Sequence, residues 1–279
     1  MEETKVPQIF EEKAQSRARR RAQSRMAKTR PSFLLIRAAE DAASRIADIN
    51  RQFERGVILS PVDMRETILS DLPPDRQPIT VDWQETLDSV SGEYDLIISL
   101  LELQTENDLP GALLRLRKHL KADGFFTAAL FGGESLSDLR QTLYTVDSAV
   151  FGGATARIYP MIDHHQAAAL LGRAGLNLPV VDKDRVNVSY SKLQTLVSDL
   201  RDLGLTNTLT ARHKAPLPKG YLDAVEAAYS KNEEGQHPAQ FEILWLTGWS
   251  PHESQQKPLK PGSAKMRLAD ALGTQEKKV

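Results

Sequence analysis

The sequence contains no cysteine and no long apolar segment. Without cysteine among its 279 residues, the chain can form no disulfide, thiolate metal site or cysteine nucleophile, and it suits a reducing compartment. No apolar run approaches the roughly 20 residues that a membrane-spanning helix needs, and the first residues carry no apolar signal core. We therefore expect a cytoplasmic protein without a transmembrane segment. No spacing of His, Asp or Glu indicates a metal site or a catalytic set.

Charge is balanced over the whole chain but not along it. The formal net charge is −1, yet the segment from Lys13 to Arg30 holds eight basic residues and no acid. Hydrophobic content of 41% and charged content of 26% allow a sizeable core. We predict three parts: a basic arm and amphipathic helix (1–52), an α/β domain (53–250) and a proline-rich basic tail (251–279).

The basic arm, Lys13 to Arg30, is compatible with a helix and leaves two interpretations open. It is a solvated, partly frayed arm, or it is a docking segment for an acidic protein, an RNA or an anionic membrane surface. Nucleic acid is the weakest of these partners because no aromatic residues are interleaved with the basic ones. A helix here has one narrow apolar stripe, formed by Ala14, Ala18, Ala22 and Met26.

From residue 53 onward, apolar strand patterns alternate with helical ones. The clearest strand is YDLIISLL at 94–101, which is apolar on both faces as in a parallel sheet. This alternation predicts a three-layer Rossmann-like sheet with right-handed crossovers. Further strands are expected at 56–59, 79–81, 125–131, 178–190 and 241–249, with helices at 33–49, 63–72, 110–120, 134–150, 163–174, 191–203 and 220–231. We also expect a turn at residues 121–124, helix caps at Asp163 and Ser191, and a short helix in the tail at Lys265 to Leu272.

In such sheets a ligand binds at the carboxyl ends of the strands, near the point where the strand order reverses. The candidate pocket is therefore formed by residues 60–64, 82–83, 101–108 and 131–135.

Several segments resemble one known family. The run from Tyr94 to Arg140 resembles the second half of a class I S-adenosylmethionine (SAM) methyltransferase domain, and more narrowly the methyltransferase-like assembly factors of respiratory complex I. The matching pieces are NDLPGAL at 107–113, GGESLSDLRQTL at 132–143, AGLNLPVVDKDRVNVSY at 174–190, DLRDLGLTN at 199–207 and FEILWLTGWSPHESQQKPLKPGSAK at 241–265.

This resemblance implies a mostly parallel sheet with an antiparallel last strand, SAM as cofactor, and methyl transfer or arginine hydroxylation on a complex I subunit. It also implies a location in the cytoplasm, with the surface of the inner membrane as an alternative. Asp82 and Trp83 match the strand end where an acid of the family meets the adenine amino group and its neighbour packs against the ring. The alternative is that Asp82 caps a helix at Trp83 to Leu87. The basic arm would then dock the protein partner.

The sequence departs from the family where the cofactor should be cradled. Relatives carry a glycine-rich loop after the first strand, which lets the backbone approach the ligand, but this chain has Ser60-Pro61-Val62-Asp63. Proline fixes φ and removes a donor, and Val62 adds a branched side chain. Between Ser60 and Tyr94 only 33 residues remain, whereas two strand–helix units need roughly 50. We predict a sheet shortened in its first half.

Two functional hypotheses follow. In the first, the protein binds SAM weakly or not at all and acts through protein–protein contacts. In the second, it is an active SAM-dependent methyltransferase or arginine hydroxylase acting on a protein. The residues predicted to contact a bound cofactor are Ser60, Asp63, Asp82 and Trp83.

Overall fold

The computed structural model describes residues 7–256. Helices and strands alternate along most of the chain. The strands are β1 (Arg55–Leu59), β2 (Thr80–Gln84), β3 (Tyr94–Leu100), β4 (Leu120–Phe131), β5 (Asn177–Tyr190) and β6 (His237–Trp249). The helices are α1 (Glu12–Met26), α2 (Phe33–Ala47), α3 (Arg65–Asp71), α4 (Leu109–His119), α5 (Ser137–Phe151), α6 (His164–Arg173), α7 (Leu193–Asp202) and α8 (Tyr221–Ala228).

The six strands form one sheet in the order β2-β1-β3-β4-β6-β5. Strand β1 pairs in parallel with β2 and β3, and β3 pairs in parallel with β4. The last strand, β6, runs antiparallel to both β4 and β5. The predicted fold class, a mostly parallel Rossmann-like sheet with an antiparallel last strand, is confirmed.

Helices cover both faces of the sheet, which explains why its central strands are apolar throughout. Successive side chains of a strand point to opposite faces. In β1, Val57 and Leu59 pack with α4 and α6, while Ile58 packs on the other side with α2. The result is three layers with a hydrophobic core on either side of the sheet.

The first half of the sheet is shortened, as predicted. Between β1 and β3 the chain forms α3, β2 and one 3₁₀ turn at Leu87–Ser89. Asp82 and Trp83 lie inside β2, where they pair with Val57 and Ile58 of β1. The alternative in which Asp82 caps a helix starting at Trp83 is therefore wrong, because sheet pairing fixes both residues in extended backbone.

Two smaller expectations also need correction. Residues 121–124 were expected to form a turn, but β4 begins at Leu120, and Asp123 adopts a φ of 59° within the strand. The expected Ser191 cap is replaced by Lys192 at the start of α7. By contrast, Asp163 caps α6 as predicted, accepting a hydrogen bond from the backbone N–H of Gln166 at 2.8 Å.

Helix α1 packs against the rest of the protein, so the solvated, frayed arm is wrong. Ala18, Ala22 and Met26 of the predicted stripe are buried, and α1 lies along α7. Arg25 donates to Asp202 and Ser198 of α7. Arg17, Arg20 and Arg21 lie on the opposite, exposed face of the helix, whereas Arg19 is half-buried.

The proline-rich tail is described only as far as residue 256. The backbone N–H of Ser250 donates to the carbonyl of Gly124 at 2.8 Å, and the carbonyl of Ser250 accepts from the backbone N–H of Asp123 at 3.1 Å. Gln255 donates to the carboxylate of Asp123 at 2.9 Å. The helix predicted at Lys265 to Leu272 lies outside the described residues.

Asp95 fixes the entry of the chain into β1. It follows the first residue of β3 and is 4% exposed. Its two carboxylate oxygens accept hydrogen bonds from the backbone N–H groups of Glu54 and Arg55, at 2.7 and 2.8 Å. This short link positions β1, and therefore the loop that follows it, relative to β3.

We expect Asp95→Ala to lower the free energy of unfolding by about 2 kcal/mol, because two partly buried backbone N–H groups lose their buried acceptor. The measurement is urea-induced unfolding at neutral pH. Asp88→Ala is the matched control, since its side chain is 83% exposed and pairs with Arg115 at the surface; it should change stability by less than about 0.5 kcal/mol. Equal losses in the two variants would contradict this role of Asp95.

Candidate functional site

The strand order reverses between β1 and β3, because β1 leads outward to β2 whereas β3 leads to β4 on the other side. Ligands of open α/β sheets bind in the crevice at the carboxyl ends of the strands at such a point. In this protein, that crevice is bordered by the loop after β1, Ser60 to Asp63, and by the segment after β3, Leu101 to Thr105.

The loop after β1 is closed on itself. Ser60 is fully buried, and its hydroxyl donates to the carbonyl of Val62 at 2.6 Å. The indole Nε1 of Trp83 donates to the carbonyl and the hydroxyl oxygen of Ser60, both at 3.2 Å. The structure thus brings together Ser60 and Trp83, two of the four residues predicted to contact a cofactor. Their polar atoms form hydrogen bonds with each other.

Helix α1 covers this crevice. The side-chain amide of Gln23 donates to the carbonyl of Pro61 at 3.0 Å, and that of Gln15 donates to the carbonyl of Thr105 at 2.6 Å. Between these contacts, Arg19 forms an ion pair with Glu102, directly after β3. A single helix therefore bridges the two loops that border the crevice.

Glu102 is the most perturbed acid of this region. Its side chain is 4% exposed, and burial raises its pKa to about 7 in spite of the Arg19 guanidinium, which acts in the opposite direction. The nearby charges of Glu106 and Glu85 raise the pKa further. Leu101, just before it, has a φ of 53°, a backbone conformation that is unusual for a bulky residue and costs of order 1–3 kcal/mol. This conformation directs Glu102 into the crevice.

The space left beneath α1 is very small. A cavity of about 30 Å³ remains among Arg19, Ala22, Pro61, Glu102 and Tyr159. That volume accommodates about one water molecule, whereas small-molecule sites are commonly 300–1,000 Å³. In this conformation the space between α1 and the loop after β1 has no room for a nucleoside. A separate cavity of about 420 Å³ is lined by Gln15 and Arg19 of α1 and by the segments after β2 and β3.

Asp63 and Asp82 lie away from the crevice interior. Asp63 is exposed and pairs with Arg65 at 2.6 Å. The carboxylate of Asp82 accepts hydrogen bonds from Arg55 at 2.7 Å and from the hydroxyl of Tyr94 at 3.1 Å, and the bond from Arg55 lowers its pKa. Both partners are the first residues of their strands, so Asp82 is bound toward the amino ends of β1 and β3. SAM contacts by these two acids remain predictions.

We did not predict Arg19, Glu85 or Glu102 individually as site residues. Glu102 directly follows the clearest predicted strand, at 94–101, and this position could have indicated a site residue. Glu85 directly follows β2, whose last residue, Gln84, pairs with Leu59 at the end of β1. In dinucleotide-binding folds an acid at this strand end contacts the ribose, and Glu85 has that position.

A second cavity lies beside the crevice, beyond the segment after β3. It has a volume of about 350 Å³ and apolar walls that include Phe10, Leu130, Phe131 and Met161. Glu106 contributes a carboxylate to it, and burial raises the pKa of that group. This cavity is large enough for one side chain of a partner or for a small ligand.

Within residues 7–256, no three His, Asp or Glu side chains are grouped so that they could hold a metal ion. Across the same residues, no helix has the length and apolar character that crossing a membrane requires.

The sheet order and the crevice at its switch point define a Rossmann-like α/β protein. No model of a known protein family matches the chain, but curated sequences do. "Arginine-hydroxylase NDUFAF5, mitochondrial" is 38% identical over 215 residues in Danio rerio (76% of this chain, 66% of that protein) and 37% identical over 190 residues in Homo sapiens (67% and 55%). A malonyl-acyl-carrier-protein O-methyltransferase of Laribacter hongkongensis is 30% identical over 179 residues, which is 64% of this chain and 58% of that protein.

The chain belongs to the class I SAM-dependent methyltransferase-like family. It spans between 42% and 66% of the length of the arginine-hydroxylase relatives that it matches.

The buried Glu102 makes stability depend on pH. Its pKa in the folded protein, about 7, lies above the ordinary value of 4.5, so the native state binds more protons than the unfolded state between these values. The free energy of unfolding therefore falls as pH rises from 4.5 to about 7 and levels off above it. The contribution to the free energy of unfolding is on the order of 3 kcal/mol.

We expect Glu102→Gln to remove this fall, because the neutral amide still offers an acceptor to Arg19. The measurement is urea unfolding over the range from pH 4.5 to 8. The exposed Glu66→Gln is the control for loss of one carboxylate and should keep the pH dependence of the wild type. An unchanged slope in Glu102→Gln would show that Glu102 does not cause it.

Proposed function

We propose that this protein is a methyltransferase-like factor that acts through protein–protein contacts in the assembly of a respiratory complex, and that it binds SAM weakly or not at all. The observation that carries this proposal is the crevice at the switch point, where α1 lies across the loops after β1 and β3. The site that would hold the cofactor is filled by the protein's own helix.

Three physical features support weak SAM binding. Ser60, at the start of the loop, is fully buried, and its hydroxyl donates a hydrogen bond to the carbonyl of Val62. Pro61 is also buried, and its carbonyl accepts from Gln23 of α1. Removing α1 from the crevice would also leave the buried carboxylate of Glu102 without its guanidinium partner, which is costly.

The proposed partner is a subunit of respiratory complex I, on the basis of the family resemblance. Acting on such a subunit places the protein in the cytoplasm, at the surface of the inner membrane. The basic arm, Lys13 to Arg30, is the proposed docking segment, because its arginine-bearing face points away from the protein's own core.

A second candidate function is SAM-dependent modification of an arginine, by hydroxylation or methylation. It is favoured by the name of the relatives that are 37–38% identical. The cavity beside the crevice also supports it, since Glu106 offers a carboxylate to a guanidinium inside apolar walls. This function requires α1 to leave the crevice so that the cofactor can enter.

Calorimetric titration with SAM separates the two candidates. We expect no saturable heat at millimolar SAM, because the closed crevice excludes the nucleoside. Micromolar binding that Asp82→Ala abolishes, while the exposed Asp88→Ala retains it, would overturn the proposed loss of the cofactor. Binding that Glu85→Gln abolishes instead would overturn it equally and would assign the ribose contact to Glu85.

A tagged form of the protein, incubated with a detergent extract of inner membranes, tests the assembly role. We expect mass spectrometry to identify complex I subunits among the captured proteins, at levels above those captured by a tagged control. Recovery of no complex I subunit would count against the proposed role, whatever the outcome of the SAM titration.

A further inference from the structure

A groove of about 690 Å³ runs along the exposed side of α1, between this helix and the end of α7. Its walls are strongly cationic. Five arginines and two hydroxyl residues line it: Arg17, Arg20, Arg21, Ser24, Arg25, Arg201 and Thr206. These seven residues define the arginine groove.

Most guanidinium groups of the arginine groove form no ion pair with an acid among the described residues. Among residues 7–256, Asp202 is the one acid that forms an ion pair with any of the five arginines, and it pairs with Arg25. Arg17, Arg20 and Arg21 are exposed, and Arg17 bonds to the Lys13 carbonyl of its own helix. Clustering like charges on one helix face is unfavourable by itself, so an anionic ligand would relieve a repulsion that already exists.

The groove has features that select among anionic partners. Its lining contains no aromatic side chain on which a nucleic-acid base could stack. None of the exposed large hydrophobic residues of the protein lines it, so it offers nothing to insert into the acyl region of a membrane. The concave shape and dense arginine content instead suit carboxylates, which guanidinium groups bind in a bidentate manner.

The spacing of the arginines indicates the shape of the ligand. Arg17, Arg21 and Arg25 are four residues apart on one helix, so successive members are separated by about 6 Å along the axis. In an extended chain, residues on one side repeat every 6.6 Å or so. Two acidic residues at alternate positions of an extended segment would therefore match Arg17 and Arg21 in register. A third would approach Arg25, which already pairs with Asp202.

We propose that the arginine groove is a binding site for an extended acidic segment of a protein partner, with an acidic residue at every second position. This inference deepens the proposed function, because it names the chemistry of the partner and the surface that receives it. It does not depend on whether the crevice binds SAM, since the groove and the crevice lie on opposite faces of α1.

The test uses the full-length protein and a fluorescein-labelled peptide, Gly-Ser-Asp-Ser-Asp-Ser-Asp-Ser-Gly, measured by fluorescence anisotropy at moderate ionic strength. We expect saturable binding that is at least tenfold weaker in the triple variant Arg17→Glu, Arg20→Glu, Arg21→Glu. The matched control is Lys118→Glu, Arg173→Glu, Lys231→Glu, which changes the net charge equally at exposed positions elsewhere. It should weaken binding by less than threefold.

Two further titrations distinguish the acidic peptide from other anionic ligands. Vesicles of phosphatidylcholine with phosphatidylserine, and a single-stranded RNA oligonucleotide, should bind less tightly than the peptide. The proposal is overturned if the peptide does not bind, if the control triple variant weakens it as much as the groove variant, or if vesicles or RNA bind more tightly. Should the triple variant fail to fold, Arg20→Gln with Arg21→Gln gives the same test with a smaller expected loss, of about threefold.

Because the peptide titration contains no SAM, its failure would leave the closed-crevice proposal standing, and SAM binding would leave the groove proposal standing. Capture of complex I subunits without peptide binding would support the assembly role and overturn this assignment of the groove.

Discussion

The ion pair between Arg19 and Glu102 is the constraint on which the arrangement of this protein depends. A carboxylate that is almost fully withdrawn from water is costly unless a cation and hydrogen bonds compensate it. Glu102 is directed inward at the end of β3, and its partner comes from a helix 83 residues earlier. Satisfying Glu102 therefore requires α1 to lie across the crevice. The closed loop after β1 and the small residual cavity follow from that position.

The same helix explains why a strongly basic segment is ordered. Its inner face consists of small side chains, Ala18 and Ala22, which allow close approach to the loops and to Gly204 after α7. Its outer face carries Arg17, Arg20 and Arg21. A helix divided in this way closes one site with one face and offers a different, charged surface with the other. The fold of the family is retained, while α1 lies across the crevice at the switch point of the sheet.

Much of the fold could be predicted from the sequence because its signals are local. The apolar run of β3, the Asp163 cap of α6 and the missing length between Ser60 and Tyr94 each lie within a short segment. The candidate site depended on long-range contacts and was harder to predict. Neither the pairing of Arg19 with Glu102 nor the bonding of Asp82 to Arg55 and Tyr94 has a signature in spacing, since each depends on which elements meet in the folded sheet.

The loss of one strand–helix unit leaves β2 as the boundary strand of the sheet. Such a boundary exposes unpaired backbone groups and invites pairing with another molecule, which leads to aggregation. Here it is only five residues long, Pro78 stands just before it, and Asp82 places a charge in its middle. The other boundary strand, β5, has 14 residues and carries the alternating charges of Asp182 to Arg185. The shortness of β2 and the charges of β5 both disfavour edge-to-edge pairing of the sheet with another molecule.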